Sequence, residues 1–209
     1  MSGIQLPPNA TGAVVETFLP TSGLYTPGER QVVSIADGGK ATYSASYVAQ
    51  SVGTSATTAI FGLVGSATKT VRLVRLIAGV TIATAGEEYD FLLQKESVLP
   101  TGGTLATVAT IVPWDSADGA ATAVPRFYTA TPTDGTVTGI LLATKLTAYI
   151  AAATTVLPPN NVLDLTFGRE AGGHAIVLRG ATQGIFASIN LAAPAHASAW
   201  TTTFVWTEE

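Results

Sequence analysis

No cysteine occurs anywhere in the 209-residue chain, which excludes disulfides, thiolate nucleophiles and zinc centres built on sulfur, and leaves the redox compartment open. Histidine is nearly as scarce: His174 and His196 are the only two. Charge is the third scarcity, with Asp, Glu, Lys and Arg together at 11% of residues, about half the usual share. A surface so poor in charge is ill suited to a free monomer, because repulsion between like charges keeps proteins apart in solution. It suits a subunit that buries surface against neighbours. The ten basic residues are scattered and the net charge is −4, so nothing in the pattern points to nucleic acid. The longest apolar stretch, Ile140 to Ile150, is broken by Thr144, Lys145 and Thr147, too short and too polar to cross a membrane. The opening "MSGIQLPPNA" has neither the basic region nor the apolar run of a secretory signal.

What is present is a chain 47% hydrophobic, rich in small alanine, threonine, glycine and serine, from which a packed core is expected. Residues 1–35 read differently from the rest. Pro7, Pro8, Pro20 and Pro27, with Gly12, Gly23 and Gly28, cut this segment into short extended pieces. Its embedded "AVVETFLP" and "RQVVSIA" are apolar and extended, so an N-terminal arm laid over a neighbouring subunit is the expectation. The second domain, residues 36–209, reads as strands and turns. "TKTVRLVRLIAGVTIA" (68–83) is apolar and β-branched. In "GEEYDFLLQKESV", Tyr89, Phe91 and Leu93 share one face while Asp90, Gln94 and Glu96 share the other, the period-2 signature of a half-buried strand. The short "TAGEE" between these two runs predicts a hairpin. In the last segment, Trp200, Thr202, Phe204 and Trp206 fall on one face, which places this strand at the centre of the core. Short strands separated by turn signals predict an all-β fold, a jelly-roll-like β-sandwich with an extended N-terminal arm.

The stretch "PWDSADGAATAVPRFYTATPTDGT" raises the question of a metal or catalytic site. Asp115 and Asp118 are three apart, whereas a calcium loop alternates its ligands every second residue and closes with a glutamate. Asp-Ser and Asp-Gly are also the signature of Asx-turns, so Asp115, Asp118 and Asp134 read as turn residues. Glu87, Glu88 and Asp90 read as the solvated tip of a hairpin. His174 and His196 have no companion ligands or triad partners in the sequence, no Gly-x-Ser-x-Gly elbow occurs, and the glycine pairs precede no phosphate-binding helix. The expectation is therefore no catalytic residue, no metal and no cofactor.

The order "ATYSASYV", "GSATKTVRLVRLIAGVTIATAG", "LLQKES…TGGT", "WDSADGAATAVPRFYTATPTDGT", "AIVLRG" and "FVWTEE" over residues 40–209 resembles a group of largely uncharacterised proteins encoded in tailed-phage and prophage genomes. The resemblance implies a non-enzymatic virion structural protein with a compact β fold, and it carries no catalytic residues. Within that class a capsid decoration or head-fibre protein is the leading expectation, bound to the major capsid protein or other virion proteins and assembled as a homo-oligomer, a trimer by analogy with phage jelly rolls. A tail fibre or baseplate component is the alternative. A carbohydrate- or receptor-binding jelly roll is another, with Trp114, Phe127 and Tyr128 as its stacking platform.

Overall fold

The structure, a computed structural model, describes residues 40–52, 59–82, 86–106, 110–148, 162–168, 175–189 and 196–209. The arm expected over residues 1–35 lies outside the described residues. All regular structure among the described residues is strand. The first six strands are β1 (Ala41–Val52), β2 (Ala59–Val64), β3 (Thr70–Ile82), β4 (Glu87–Val98), β5 (Thr104–Leu105) and β6 (Val112–Pro113). The others are β7 (Val124–Ala130), β8 (Thr136–Ala148), β9 (Val162–Thr166), β10 (Ile176–Arg179), β11 (Gly184–Ile189) and β12 (Ser198–Glu208).

The strands form two sheets of six, β10-β3-β12-β1-β6 with β9 also on β3, and β5-β7-β2-β11-β4-β8. The pairing is nested: β1 pairs with β12, β2 with β11, β3 with β10 and β4 with β8, all antiparallel. Within this frame β1-β12-β3-β10 faces β2-β11-β4-β8, and β5, β6, β7 and β9 add to its edges. A long hairpin of four nested strand pairs rolled into two sheets is a jelly roll. The expected β-sandwich is therefore present, and its strand order is the jelly-roll order.

The core lies between the sheets and is aromatic at its centre. Tyr89, Phe91, Leu93, Trp200, Phe204 and Trp206, the residues that alternation placed inside, are all at most 1% exposed. Trp200 and Phe204 from β12 meet Phe61 of β2 at ring-centroid distances of 6.1 and 5.9 Å. Trp200 also meets Phe91 and Tyr89 of β4 at 6.1 and 6.0 Å, so one strand of the first sheet packs on two strands of the second. Tilted and edge-on pairs at such distances add to the burial of ring area itself. β12 sits between β1 and β3, with partners along both edges.

The hairpin expected between residues 68–83 and 87–98 does not form. β3 pairs with β12, β10 and β9, whereas β4 pairs with β11 and β8. The connection crosses from one sheet to the other. Each strand turns an apolar face to the shared core from its own side, and alternation alone looks the same in a hairpin and in a sheet-to-sheet crossing.

The second sheet is covered on its outer face as well. All six residues of β2 and all six of β11 are buried. Phe186 of β11 lies flat over two glycines: a Cβ at Gly62 would stand 2.2 Å from its ring, and one at Gly184 2.3 Å. Tyr128, Val64, Ala59 and Leu99 complete this second, smaller core. Leu99 packs against it, and the chain just beyond is tied to the segment before β8 by the reciprocal backbone bonds between Thr101 and Thr133 at 2.9 and 2.8 Å.

Trp206 stacks on Tyr43 at 5.8 Å and its indole N–H donates to Glu208 at 3.1 Å. Trp206→Ala is expected to lower unfolding stability by about 3–5 kcal/mol, the cost of a large cavity in a packed core. Denaturant unfolding checks this, and a loss under about 1 kcal/mol would mean that the ring does not fill the core.

Candidate interaction surface

The residues singled out in the sequence do not gather. Asp115 Oδ1 accepts the Ala117 N–H at 2.9 Å, and the Asp118 N–H is bonded to the Asp115 carbonyl at 3.0 Å. That is turn geometry within the chain between β6 and β7. Asp134 lies on the far side of the second sheet, where its Oδ1 accepts the Ala59 N–H at 2.7 Å. Glu88 and Asp90 share Lys145 of β8 across the strand pair at 3.4 and 3.5 Å, an exposed arrangement of the kind that adds little stability. Glu87 accepts the His196 backbone N–H at 3.0 Å and the Tyr89 hydroxyl at 3.2 Å. The same hydroxyl reaches the His196 carbonyl at 3.1 Å, and the His196 ring nitrogen Nδ1 stands 3.4 Å from Glu87. These contacts fasten the chain before β12 to the start of β4. Burial, the largest influence, pushes the Tyr89 hydroxyl up to about 12, so it stays a donor in this latch. His174 lies outside the described residues, and among the described residues no three metal-ligating side chains come together.

The three aromatics considered as a sugar platform also part company. Trp114 is 66% exposed, whereas Phe127 and Tyr128 are 1% and 4% exposed. Phe127 stacks on Tyr47 at 5.2 Å inside the main core, and Tyr128 packs on Phe186 in the smaller one. One exposed ring remains, and a stacking platform built on these three residues is not formed.

Two buried carboxylates escaped the sequence reading. Glu208 continues the even-numbered face of β12, on which Ser198 through Trp206 are buried. It accepts both the N–H and the hydroxyl of Thr122, the Ala123 N–H and the Trp206 indole at 2.8–3.1 Å, with Lys69 Nζ at 3.4 Å. Burial acts most strongly on this carboxyl and alone would raise it, but the donors from Ala123, Thr122 and Trp206 together hold it below the usual range. Extending the alternation one step past Trp206 would have found it.

Glu96 is the opposite case. Gln94 and Glu96 belong to the face of β4 expected to meet solvent, yet they are only 8% and 1% exposed, and Gly135 packs directly against the Glu96 carboxylate. Gln94 finds Ser188 at 2.9 Å. Neither oxygen of Glu96 has a donor at hydrogen-bonding geometry. Burial pushes its carboxyl up to about 7 from an ordinary 4.5, helped by the charge of Asp134 and opposed weakly by the Gly135 N–H.

The exposed counterpart of this region is β8. It ends the second sheet, and among the described residues no strand pairs with its far edge. Its first six residues, Thr136 to Leu141, are all exposed on both faces, with Val137, Ile140 and Leu141 at 40%, 60% and 44%. The neighbouring Val98 is 53% exposed. The cause lies in the other sheet: Lys95 of β4 already reaches the Val177 carbonyl of β10, and β10 is an edge strand of only four residues. β8 lies one strand further out and overhangs it. Over residues 136–144 β8 carries no charge. Natural edge strands are usually blunted by charge, proline or shortness; the first half of β8 has only the three register shifts in its pairing with β4.

No family model, no curated protein and no solved structure matches the chain.

The carboxylates set a pH dependence. Glu96 has a folded value above its unfolded one, so its full stability is present below pH 4.5 and is lost as pH climbs to about 7. Asp134, also raised by burial, acts in the same direction. Glu208, lowered, acts oppositely and weakens the fold only on acidification below the ordinary glutamate range. In EDTA-containing buffer the wild type is expected to be more stable at about pH 5 than at about pH 8, by on the order of 2–3 kcal/mol. Glu96→Gln should flatten the difference, and equal wild-type stability at the two pH values would contradict the assignment.

Proposed function

We propose that this protein is a non-catalytic structural subunit of a tailed-phage particle, a capsid decoration or head-fibre protein that works by surface association. The observation that carries the reading is the overhanging, uncharged edge of β8, where Val137, Ile140 and Leu141 stand exposed beside backbone groups that no strand among the described residues pairs with. Such an edge is a template for strand addition, in which backbone bonds supply affinity and alternate side chains supply register. The low charge of the chain and the collinear motifs of residues 40–209 support the virion setting. In this reading the subunit is a homo-oligomer, with a trimer as the expected order, and residues 1–35 form an arm toward the major capsid protein or another virion protein.

A jelly roll hosts many functions, so association must be measured. Sedimentation velocity at micromolar concentration should show an oligomer for the wild type. Ile140→Asp, which places a charge on an already exposed site, should weaken self-association at least tenfold with the fold intact, the usual scale for a charge set into an apolar contact. Mass spectrometry of purified phage particles should find the chain in stoichiometric amount. A wild type that sediments as a monomer and is missing from particles would overturn the proposal.

A further inference from the structure

The two buried glutamates pose the same problem, and the fold answers it in only one of them. Glu208 is surrounded by donors from Thr122, Ala123 and Trp206 with a lysine at 3.4 Å. Glu96, just as buried at 1% exposure, has the Gly135 N–H nearby but no donor at hydrogen-bonding geometry on either oxygen, and a buried charge without partners is among the most costly arrangements in a protein. The charged group that acts on it is a second acid, Asp134, whose Oδ1 is committed to the Ala59 N–H.

Among the described residues no basic side chain serves the pair. Lys95, on the same strand, points through the sheet to the Val177 carbonyl, and Arg126 is held by the Pro100 carbonyl and the Tyr128 hydroxyl at 3.5 and 3.3 Å. More oxygen converges on the same spot. A Cβ at Gly135 would stand 1.8 Å from the Val98 carbonyl oxygen and 2.5 Å from Glu96 Oε2, so only a glycine fits against these two oxygens. The place is rich in oxygen and lies at the root of the exposed half of β8, where Glu96 pairs with Val137.

We propose that Glu96 and Asp134, with the Val98 carbonyl, bind a hard divalent cation of the calcium type. Such ions take oxygen ligands from carboxylates, backbone carbonyls and water in flexible geometry. Among the described residues no third carboxylate or histidine joins the pair, so carbonyls and water complete the shell, and the affinity is that of a weak extracellular-type site, about 10⁻⁴–10⁻³ M. The cation neutralises the carboxylates, ties residues 133–135 to β4, and steadies the start of β8. The site is distinct from Asp115 and Asp118, which lie in the turn between β6 and β7.

Full-length protein, treated with EDTA and then dialysed free of it, is titrated calorimetrically with CaCl₂ at about pH 8, where protons compete little, and is melted with and without about 10 mM CaCl₂, a concentration well above the expected dissociation constant. One Ca²⁺ per chain and a rise in melting temperature of several degrees are expected, with MgCl₂ weaker. Both effects should vanish in Glu96→Gln and in Asp134→Asn, each of which can be checked for native near-ultraviolet circular dichroism; either variant alone suffices should the other fail to fold. Absence of heat and of any shift in the wild type would overturn the proposal. A calcium shift that persists unchanged in the folded variants would overturn it too, as would stabilisation by acid alone with none by CaCl₂.

Discussion

The constraint on which the structure depends is that β12 must be held along both edges. It pairs with β1 on one side and β3 on the other, and its even-numbered side chains supply the rings that Phe61 and Phe91 of the opposite sheet pack against. The first sheet is incomplete until this strand, the last of the described elements, is in place. Nested pairing of β1 with β12, β2 with β11 and β3 with β10 makes most contacts distant in sequence, so loop closure comes before its reward and folding is expected to be slow for a chain of this size. Glu208 closes the same strand by drawing the N–H groups of Thr122 and Ala123 onto it, which joins the chain before β7 to the strand that completes the first sheet.

Much of this was legible in the sequence, and the residues that misled show why the rest was not. Tyr89, Phe91 and Leu93 alternate with polar residues, as do Trp200, Phe204 and Trp206, and all six are buried where alternation put them. Alternation reports which face of a strand meets a core. It does not report which strand lies alongside, so β3 and β4 read as a hairpin although they belong to different sheets. Nor does it report what may close over the second face. Gln94 and Glu96 read as solvated but are buried, Glu96 against Gly135 and Gln94 on Ser188, and Phe127 and Tyr128, candidates for an exposed platform, face two different cores. The exposed edge of β8 was invisible for the same reason: "TVTGILLAT" has the composition of a buried strand, and only its position beyond the short β10 leaves it uncovered.

Two buried glutamates, Glu208 and Glu96, differ in kind. Around Glu208 each carboxylate oxygen meets protein donors, so the charge is stabilised by fixed dipoles and acts as a structural staple. Around Glu96 and Asp134 the protein offers acid against acid beside the first residues of β8. A satisfied network rigidifies, whereas an unsatisfied one makes its surroundings depend on what solution provides. The region that carries the exposed apolar edge is thus also the region whose local stability is open to protons and cations. An association surface placed there would be sensitive to the ionic conditions of assembly.

These features meet in the proposal that β8 is the association surface of this chain. Hydrogen exchange measured on dilute monomer and on the assembled form tests it most directly, because it reads each strand separately. The account predicts that backbone amides of residues 136–144 exchange readily in the monomer and become protected on assembly, while those of β12 are protected in both. Unchanged exchange across β8, with new protection appearing elsewhere on the molecule, would contradict it.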